Sequence, residues 1–138
     1  SLLVLCVALT TIQVVLGTQV REAIDVVSEN LARASWIENL GIEFKIHRSY
    51  SILLLVLHVF IVQKLVVRSK EETILKNPVR FLFAIVVIEI LTGVIMAYFG
   101  VPAAVQPIHL LLGTLIVGVQ YYVLLLIGNK NLKSNTAE

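Results

Sequence analysis

Three histidines carry the clearest potential for metal chemistry in this sequence: His47, His58 and His109. His47 and His109 each stand near the start of an apolar run that follows a polar or turn segment. If both runs are membrane-spanning helices entered from the same side, the two rings lie at similar depth. Neutral imidazole is the commonest metal ligand, and two such rings facing each other across an apolar interior suit a six-coordinate haem iron. The alternative is that each histidine is only a polar residue at the membrane interface.

His58 follows His47 by eleven residues. This is close to three helical turns, and it places His58 on nearly the same face about 16 Å deeper. We find no residue on the last apolar run that would pair with it at that depth. We therefore predict a hydrogen-bonded packing role for His58 and assign the pair of iron ligands to His47 and His109.

Two arginines stand where the propionates of a haem would need cations. Arg48 follows His47 directly, and Arg21 ends the first apolar run on the same side. Arginine presents a planar fork that binds a carboxylate through two hydrogen bonds. We predict that both arginines contact the propionates; the simpler alternative is two interfacial cations.

Two acids could also take part. Glu89 lies in the middle of an apolar run, where an acid is costly and usually functional. We expect it to bond either Gln13 or a haem edge, or to be a neutral packing acid. Glu43 lies four residues before His47 and shares its helical face if the helix starts one turn earlier. It is our candidate for acid–base work near the haem, against the alternative of a solvated loop acid.

The composition places these residues in a membrane protein. Of the 138 residues, 58% are hydrophobic and 14% are charged, whereas soluble domains have roughly 25% charged residues. Lipid around the outside removes the need to hide this apolar surface from water. The net charge of +2 gives no sign of nucleic-acid binding. The single cysteine, Cys6, lies in an apolar run and is expected to be a small buried side chain.

Four apolar segments are long enough to cross a bilayer, since a spanning helix needs about 20 residues. They cover residues 1–20, 47–67, 79–99 and 105–127, joined by an outer loop at 21–46, an inner loop at 68–78 and a short turn at 100–104. The predicted fold is an all-α integral membrane four-helix bundle, up-down-up-down, forming one domain over residues 1–138. In such a bundle the second and fourth helices are diagonal partners, and side chains that converge on the axis build cofactor sites.

Lysine and arginine in the connections predict the orientation. The side that holds the larger basic group is expected to be cytoplasmic; its members are Lys64, Arg68, Lys70, Lys76, Arg80, Lys130 and Lys133. The histidine site then lies near the outer, periplasmic face, in the plasma membrane of a bacterium. In the outer loop, residues 21–35 show apolar residues at helical spacing and are predicted to form an amphipathic helix. The chain begins inside an apolar run and ends in a polar tail, which we interpret as the C-terminal part of a longer protein.

A short internal repeat relates the two halves of the chain. Gln13–Gly17 in the first helix matches Glu89–Gly93 in the third, and each is followed by a helix with a histidine near its outer end. The match predicts two helical hairpins of common design. Two stretches this short can also match by chance.

These motifs resemble those of the haem A synthases. Gly17–Arg21 resembles their Gly-x-x-Val-Arg element at the end of helix one, and His47-Arg48 resembles their His-Arg motif. Glu89–Gly93 resembles their Gln-x-x-x-Gly element in helix three, with Glu in place of Gln, and His109–Gly113 resembles the helix-four histidine motif. The resemblance covers all four helices and preserves their order and spacing.

The resemblance implies that His47 and His109 are axial haem ligands. Haem A synthases typically have eight spanning helices in two related halves and oxidise a methyl group of haem O to the formyl of haem A. The N-terminal half is usually assigned the reaction, and the C-terminal half is assigned a b-type haem. Val20-Arg21 and the polar tail resemble the C-terminal half more. Haem b is therefore the implied cofactor, with haem O and haem A as substrate and product. The implied partners are the bilayer, a second four-helix half or further copies of the chain, haem O synthase and a terminal oxidase.

Two departures from the family pattern bear on catalysis. Many members carry a cysteine pair in an outer loop, whereas residues 21–46 contain none. The catalytic half usually has a glutamate three residues before its helix-two histidine; Phe44 stands there, with Glu43 one residue further back. We therefore expect this bundle to hold the cofactor haem, although half-size members that oligomerise also exist. Outside the family, the alternatives are a stand-alone b-type cytochrome or an assembly subunit that binds no haem.

Overall fold

Four long helices make up almost all of the protein. The computed structural model describes residues 2–67 and 73–135. The helices are α1 (Leu2–Ser28), α2 (Ile42–Val62, prolonged by a π-helical turn over Gln63–Val67), α3 (Thr73–Tyr98) and α4 (Val105–Asn135). Each is long and apolar enough to cross a membrane, and the described residues contain no strand. The predicted all-α membrane bundle is confirmed.

The helices pack in a ring, with α1 against α2, α2 against α3, α3 against α4 and α4 against α1. Helices α2 and α4 therefore occupy diagonal positions, as predicted. The connections 29–41 and 99–104 lie at the same end of the bundle, which we call the upper end. The α2–α3 connection lies at the opposite, lower end. The side chains of α2 and α4 near their first turns thus meet at one level.

Three clusters of buried apolar side chains fill the interior from the lower to the upper end. Large apolar side chains also cover the outside, as expected for a surface that faces lipid. The lower cluster includes Leu3, Cys6, Ile61, Val79 and Val123, the middle one Leu82, Ile85, Val86 and Ile116, and the upper one Val20, Ile24, Leu40 and Val101. The expectation that Cys6 is a buried small side chain is confirmed.

The structure corrects the predicted separate amphipathic helix at 21–35. Residues up to Ser28 prolong α1 without a break, and only short 3-10 turns follow, at Arg33–Ser35 and Ile37–Asn39. No glycine or proline stands between Thr18 and Leu40 to end the helix earlier. A helix of 27 residues measures about 40 Å at 1.5 Å per residue, so its polar last two turns project beyond the hydrocarbon.

Helices α2 and α3 also begin earlier than predicted. Hydropathy finds only the apolar part of each helix, whereas α2 already begins at Ile42 and α3 at Thr73. Pro78 is the sixth residue of α3, so its missing N–H removes one backbone hydrogen bond, but the helix continues through it. The rest of the predicted inner loop, residues 68–72, lies outside the described residues, together with its basic residues.

The α3–α4 turn packs against the connection between α1 and α2 at the upper end. Gly100 and Val101 both have positive φ, at 63° and 55°, and Val101 is only 2% exposed. A Cβ added at Gly100 would lie 3.1 Å from Cγ of Arg33 and 3.3 Å from its carbonyl oxygen. The turn therefore packs directly against the 29–41 connection and holds it over the bundle.

Candidate functional site

His47 and His109 meet near the upper end of the bundle. His47 lies in the second turn of α2 and His109 in the second turn of α4. Their ring centroids are 6.5 Å apart, and the ring planes are inclined by 69°. Both side chains are half-buried. The two diagonal helices thus bring two imidazoles to one level, the juxtaposition that the sequence predicted.

Each histidine ring lies against a glycine of the preceding helix. A Cβ added at Gly17 would lie 3.3 Å from Cε1 of His47, and one added at Gly93 would lie 3.3 Å from Cε1 of His109. Gly17 and Gly93 are the matching ends of the internal repeat. The α1–α2 and α3–α4 hairpins therefore seat their histidines in the same way, which supports a common design over a chance match.

His109 has two polar neighbours on α3. Its Nδ1 lies 2.8 Å from Oγ1 of Thr92 and 3.1 Å from Oε2 of Glu89. Gly113 makes room for this acid, since a Cβ there would lie 3.3 Å from Oε1 of Glu89. Sequence reasoning missed Thr92, although its place one turn after Glu89 on the same face was a usable signal.

The surroundings of His47 differ from those of His109. Gln13 donates a hydrogen bond from Nε2 to the backbone carbonyl of His47 over 3.1 Å. Nδ1 of His47 is buried and has no hydrogen-bond partner among the described residues, and the same holds for Oε1 of Gln13. The expected bond between Glu89 and Gln13 is not formed, because Glu89 turns to His109 and Gln13 to the backbone of α2. A contact of Glu89 with a haem edge stays a prediction.

The two arginines lie at the upper end with their own partners. Arg21 forms an ion pair with Asp25 over 2.7 Å and donates a short hydrogen bond to the side-chain oxygen of Gln106. Gln106 in turn donates to the carbonyl of Val101 in the α3–α4 turn. Arg48 is exposed, and its guanidinium carbon lies 5.8 Å from the centre of the Phe44 ring. Contact of either arginine with propionates stays a prediction.

Glu43 belongs to the first turn of α2, since the helix begins earlier than predicted. Its carboxylate folds back over Gly41, the N-cap of this helix. An acid at this position interacts favourably with the positive end of the helix dipole. No hydrogen bond or ion pair joins Glu43 to either histidine within the described part of the chain, so its role in acid–base chemistry stays a prediction.

A second polar cluster is buried deeper in the bundle, around His58. Nδ1 of His58 lies 2.7 Å from the carbonyl oxygen of Leu54, and Gln120 places its Nε2 2.9 Å from Nε2 of His58. The same amide donates to Oγ1 of Thr10 over 2.9 Å and lies 3.4 Å from Sγ of Cys6. The predicted hydrogen-bonded packing role of His58 is confirmed. The expectation that nothing on the last helix pairs with His58 is wrong, because Gln120 of α4 does.

Comparison with protein families identifies a family that this chain matches. The COX15-CtaA family model, described as cytochrome oxidase assembly protein, matches residues 1–121. The matched part contains every residue of the upper site, from Gln13 to Gly113. No curated protein and no solved structure gives a significant match.

Proposed function

The chain belongs to the COX15-CtaA family of cytochrome oxidase assembly proteins, the haem A synthase family, and from this premise we propose that its bundle binds a haem between His47 and His109. The family implies a part in haem A synthesis and oxidase assembly. The observation that carries the proposal is the meeting of the two rings, 6.5 Å apart on diagonal helices. The other residues of the site also support the proposal, because they can orient the two rings and neutralise the propionates.

The spacing of the rings suits one shared metal ion. Imidazole nitrogens bind metals at about 2.0 Å, and each nitrogen lies about 1 Å from the centre of its ring. Two rings on opposite sides of one ion therefore have centres roughly 6 Å apart. Among the described residues, no group of three or more His, Cys, Asp or Glu could hold a bare ion. Two histidines suffice for a haem because the porphyrin supplies the remaining iron ligands. When bound, the haem supplies an iron that accepts and donates one electron.

The neighbouring residues would orient this pair and neutralise the propionates. Gly17 and Gly93 allow each ring to approach the preceding helix, and Gln13 fixes the backbone of α2 at His47. Arg48 is exposed at the upper end, where a propionate can reach it from the bundle. Arg21 would be the second cation, positioned by Asp25.

We propose that this bundle holds a b-type haem for electron transfer, and that methyl oxidation takes place in a second four-helix half. If His47 and His109 both held the haem iron, no ligand position would be left for a substrate, which would suit electron transfer. Phe44 occupies the place where the catalytic half usually has a glutamate. A further copy of the chain is the alternative source of a catalytic bundle. Haem O synthase and a terminal oxidase would be the partners in this assembly.

The proposed topology places the upper end outside, in a bacterial plasma membrane. The support is the larger number of basic residues at the lower end, including Lys64, Lys76 and Arg80 of the described chain. Single cysteines introduced as Asn30→Cys and Lys76→Cys, in a protein whose own Cys6 is replaced by alanine, test it in intact cells. A membrane-impermeant maleimide should label the first and spare the second. The reverse labelling would overturn the orientation.

The proposed function is tested on the purified protein by its reduced-minus-oxidised spectrum. We expect the sharp bands of a low-spin haem, with one haem per chain. Mild extraction that leaves an intact bundle without a haem band would overturn the proposal and favour a structural assembly subunit. Co-expression with haem O and pigment analysis then separates the two haem functions. A stand-alone b-type cytochrome leaves haem O unchanged even beside the second half of the synthase.

A further inference from the structure

The hydroxyl of Thr92 stands between two groups that compete for one proton. Oγ1 of Thr92 lies 2.8 Å from the backbone carbonyl of Glu89 and 2.8 Å from Nδ1 of His109. A carbonyl oxygen can only accept, whereas a neutral imidazole nitrogen either donates or accepts. When Thr92 donates its proton to the carbonyl, Oγ1 is left to accept a hydrogen bond from Nδ1–H of His109.

The carboxyl group of Glu89 is the second neighbour of Nδ1, and it favours hydrogen on Nδ1 over a bare Nδ1 that accepts from Thr92. Oε2 of Glu89 lies 3.1 Å from this nitrogen and has no hydrogen-bond partner of good geometry within the described residues. Both side chains are mostly buried, each 19% exposed. A proton on Nδ1 can be donated to Oγ1 of Thr92 and lies beside this partnerless oxygen, whereas a bare Nδ1 would set its lone pair against an ionised carboxylate.

The position of this proton determines which nitrogen of His109 can bind a metal. With hydrogen on Nδ1, Nε2 carries a lone pair and is the ligand nitrogen. Hydrogen bonds from the other ring nitrogen to an oxygen acceptor fix the ring and raise its basicity as a ligand. His47 has no such support, because its buried Nδ1 lacks a hydrogen-bond partner in the described chain. The two histidines are therefore unequal.

We propose that Thr92 and Glu89 are positioning residues that hold the proton of His109 on Nδ1 and make His109 the stronger electron donor of the pair. The part that concerns the iron rests on the proposed function, whereas the position of the proton does not. Glu89 stands where the family pattern has a glutamine, so the carboxyl part of this arrangement distinguishes this chain from that pattern. A stronger donor stabilises the oxidised iron, which lowers the reduction potential of a bound haem.

The proton can be observed without haem. In ¹⁵N-histidine-labelled apoprotein in micelles, the ring ¹⁵N shifts should show the neutral Nδ1–H tautomer for His109. Thr92→Val should reduce the share of this tautomer, and Thr92→Ser should restore it. Thr114→Val is the matched control, because Thr114 forms the same kind of hydroxyl bond, to the carbonyl of Leu110, and is exposed. An Nε2–H tautomer in the unmodified protein would overturn the proposal.

The haem-loaded protein gives an independent readout. Thr92→Val should weaken haem binding by about 10-fold or more, as loss of such support does at metal sites, and shift the midpoint potential to more positive values. Glu89→Gln, a nearly isosteric change, should shift the potential in the same direction and serves if Thr92→Val fails to fold. Potentials equal to that of Thr114→Val in both variants would overturn the proposal. A protein that binds no haem refutes the proposed function, and the ¹⁵N spectrum then decides the position of the proton alone.

Discussion

Gln120 donates its side-chain amide to Nε2 of His58 over 2.9 Å, and both side chains are buried, at 0% and 2% exposure. His58 follows His47 by eleven residues, and Gln120 follows His109 by eleven. The two diagonal helices therefore meet twice, three turns apart, first through two imidazoles and then through an imidazole and an amide. The upper meeting leaves ring nitrogens for a ligand, whereas the lower one satisfies both ring nitrogens within the protein.

Gln120→Leu should destabilise the bundle. It leaves the buried Nε2 of His58 with only the weak thiol donor of Cys6, 3.7 Å away, and it removes the amide from Oγ1 of Thr10. A buried polar group that is left unsatisfied costs about 1–3 kcal/mol. Thermal unfolding in detergent, followed by circular dichroism, should show a lower midpoint. Gly118→Ala on the same helix is the control, since an added Cβ there meets nothing within 4 Å. In the double variant with His58→Leu, the losses should be less than additive, because the two residues share one network. Full additivity would contradict the coupling.

His47→Ala and His109→Ala should each abolish or strongly weaken low-spin haem binding, because each removes one of the two proposed iron ligands. The absorption spectrum of the purified variants measures this directly. His58→Ala should largely spare the haem, and His58→Gln is a gentler control that keeps a hydrogen-bonding side chain in the buried cluster. Equal haem loss in the variants at all three positions, with the bundle still folded, would contradict the ligand assignment.

Much of this architecture could be predicted from the sequence. The four spans follow from hydropathy, and the meeting of His47 with His109 follows from their similar depth near the outer ends of the second and fourth spans. The prolonged α1 could not be found in this way, because hydropathy reports contact with lipid and says little about where a polar helix continues. Thr92 had a signal in its place one turn after Glu89, whereas Gln120 escaped because a neutral polar residue within an apolar helix becomes informative only once its neighbours are known.

Bulky residues at Gly17 and Gly93 should displace the histidine rings. A Cβ added at either glycine would lie 3.3 Å from the histidine ring. Alanine therefore requires only a small shift of the ring, whereas leucine cannot be accommodated without moving the imidazole. Gly17→Leu and Gly93→Leu should therefore lower haem content and broaden the low-spin bands, while the alanine variants keep most of the haem. Gly118→Leu, in open space on α4, controls for a leucine in place of a helical glycine. Haem content equal in all three leucine variants would contradict the role of the glycines as seats for the rings.

Removal of the cation at Arg48 should weaken haem binding only moderately. Arg48 is exposed, and an exposed ion pair contributes up to about 1 kcal/mol, which corresponds to a loss of affinity of roughly fivefold. Arg80→Leu is the matched control, because Arg80 is also an exposed arginine and lies near the lower end of the bundle, away from His47. Haem titration of the apoprotein at low and high salt measures the difference. The loss in Arg48→Leu should shrink at high salt, where the cation of the unmodified protein is screened. An affinity that falls equally in both variants would mean that general surface charge, and not a propionate contact of Arg48, assists binding.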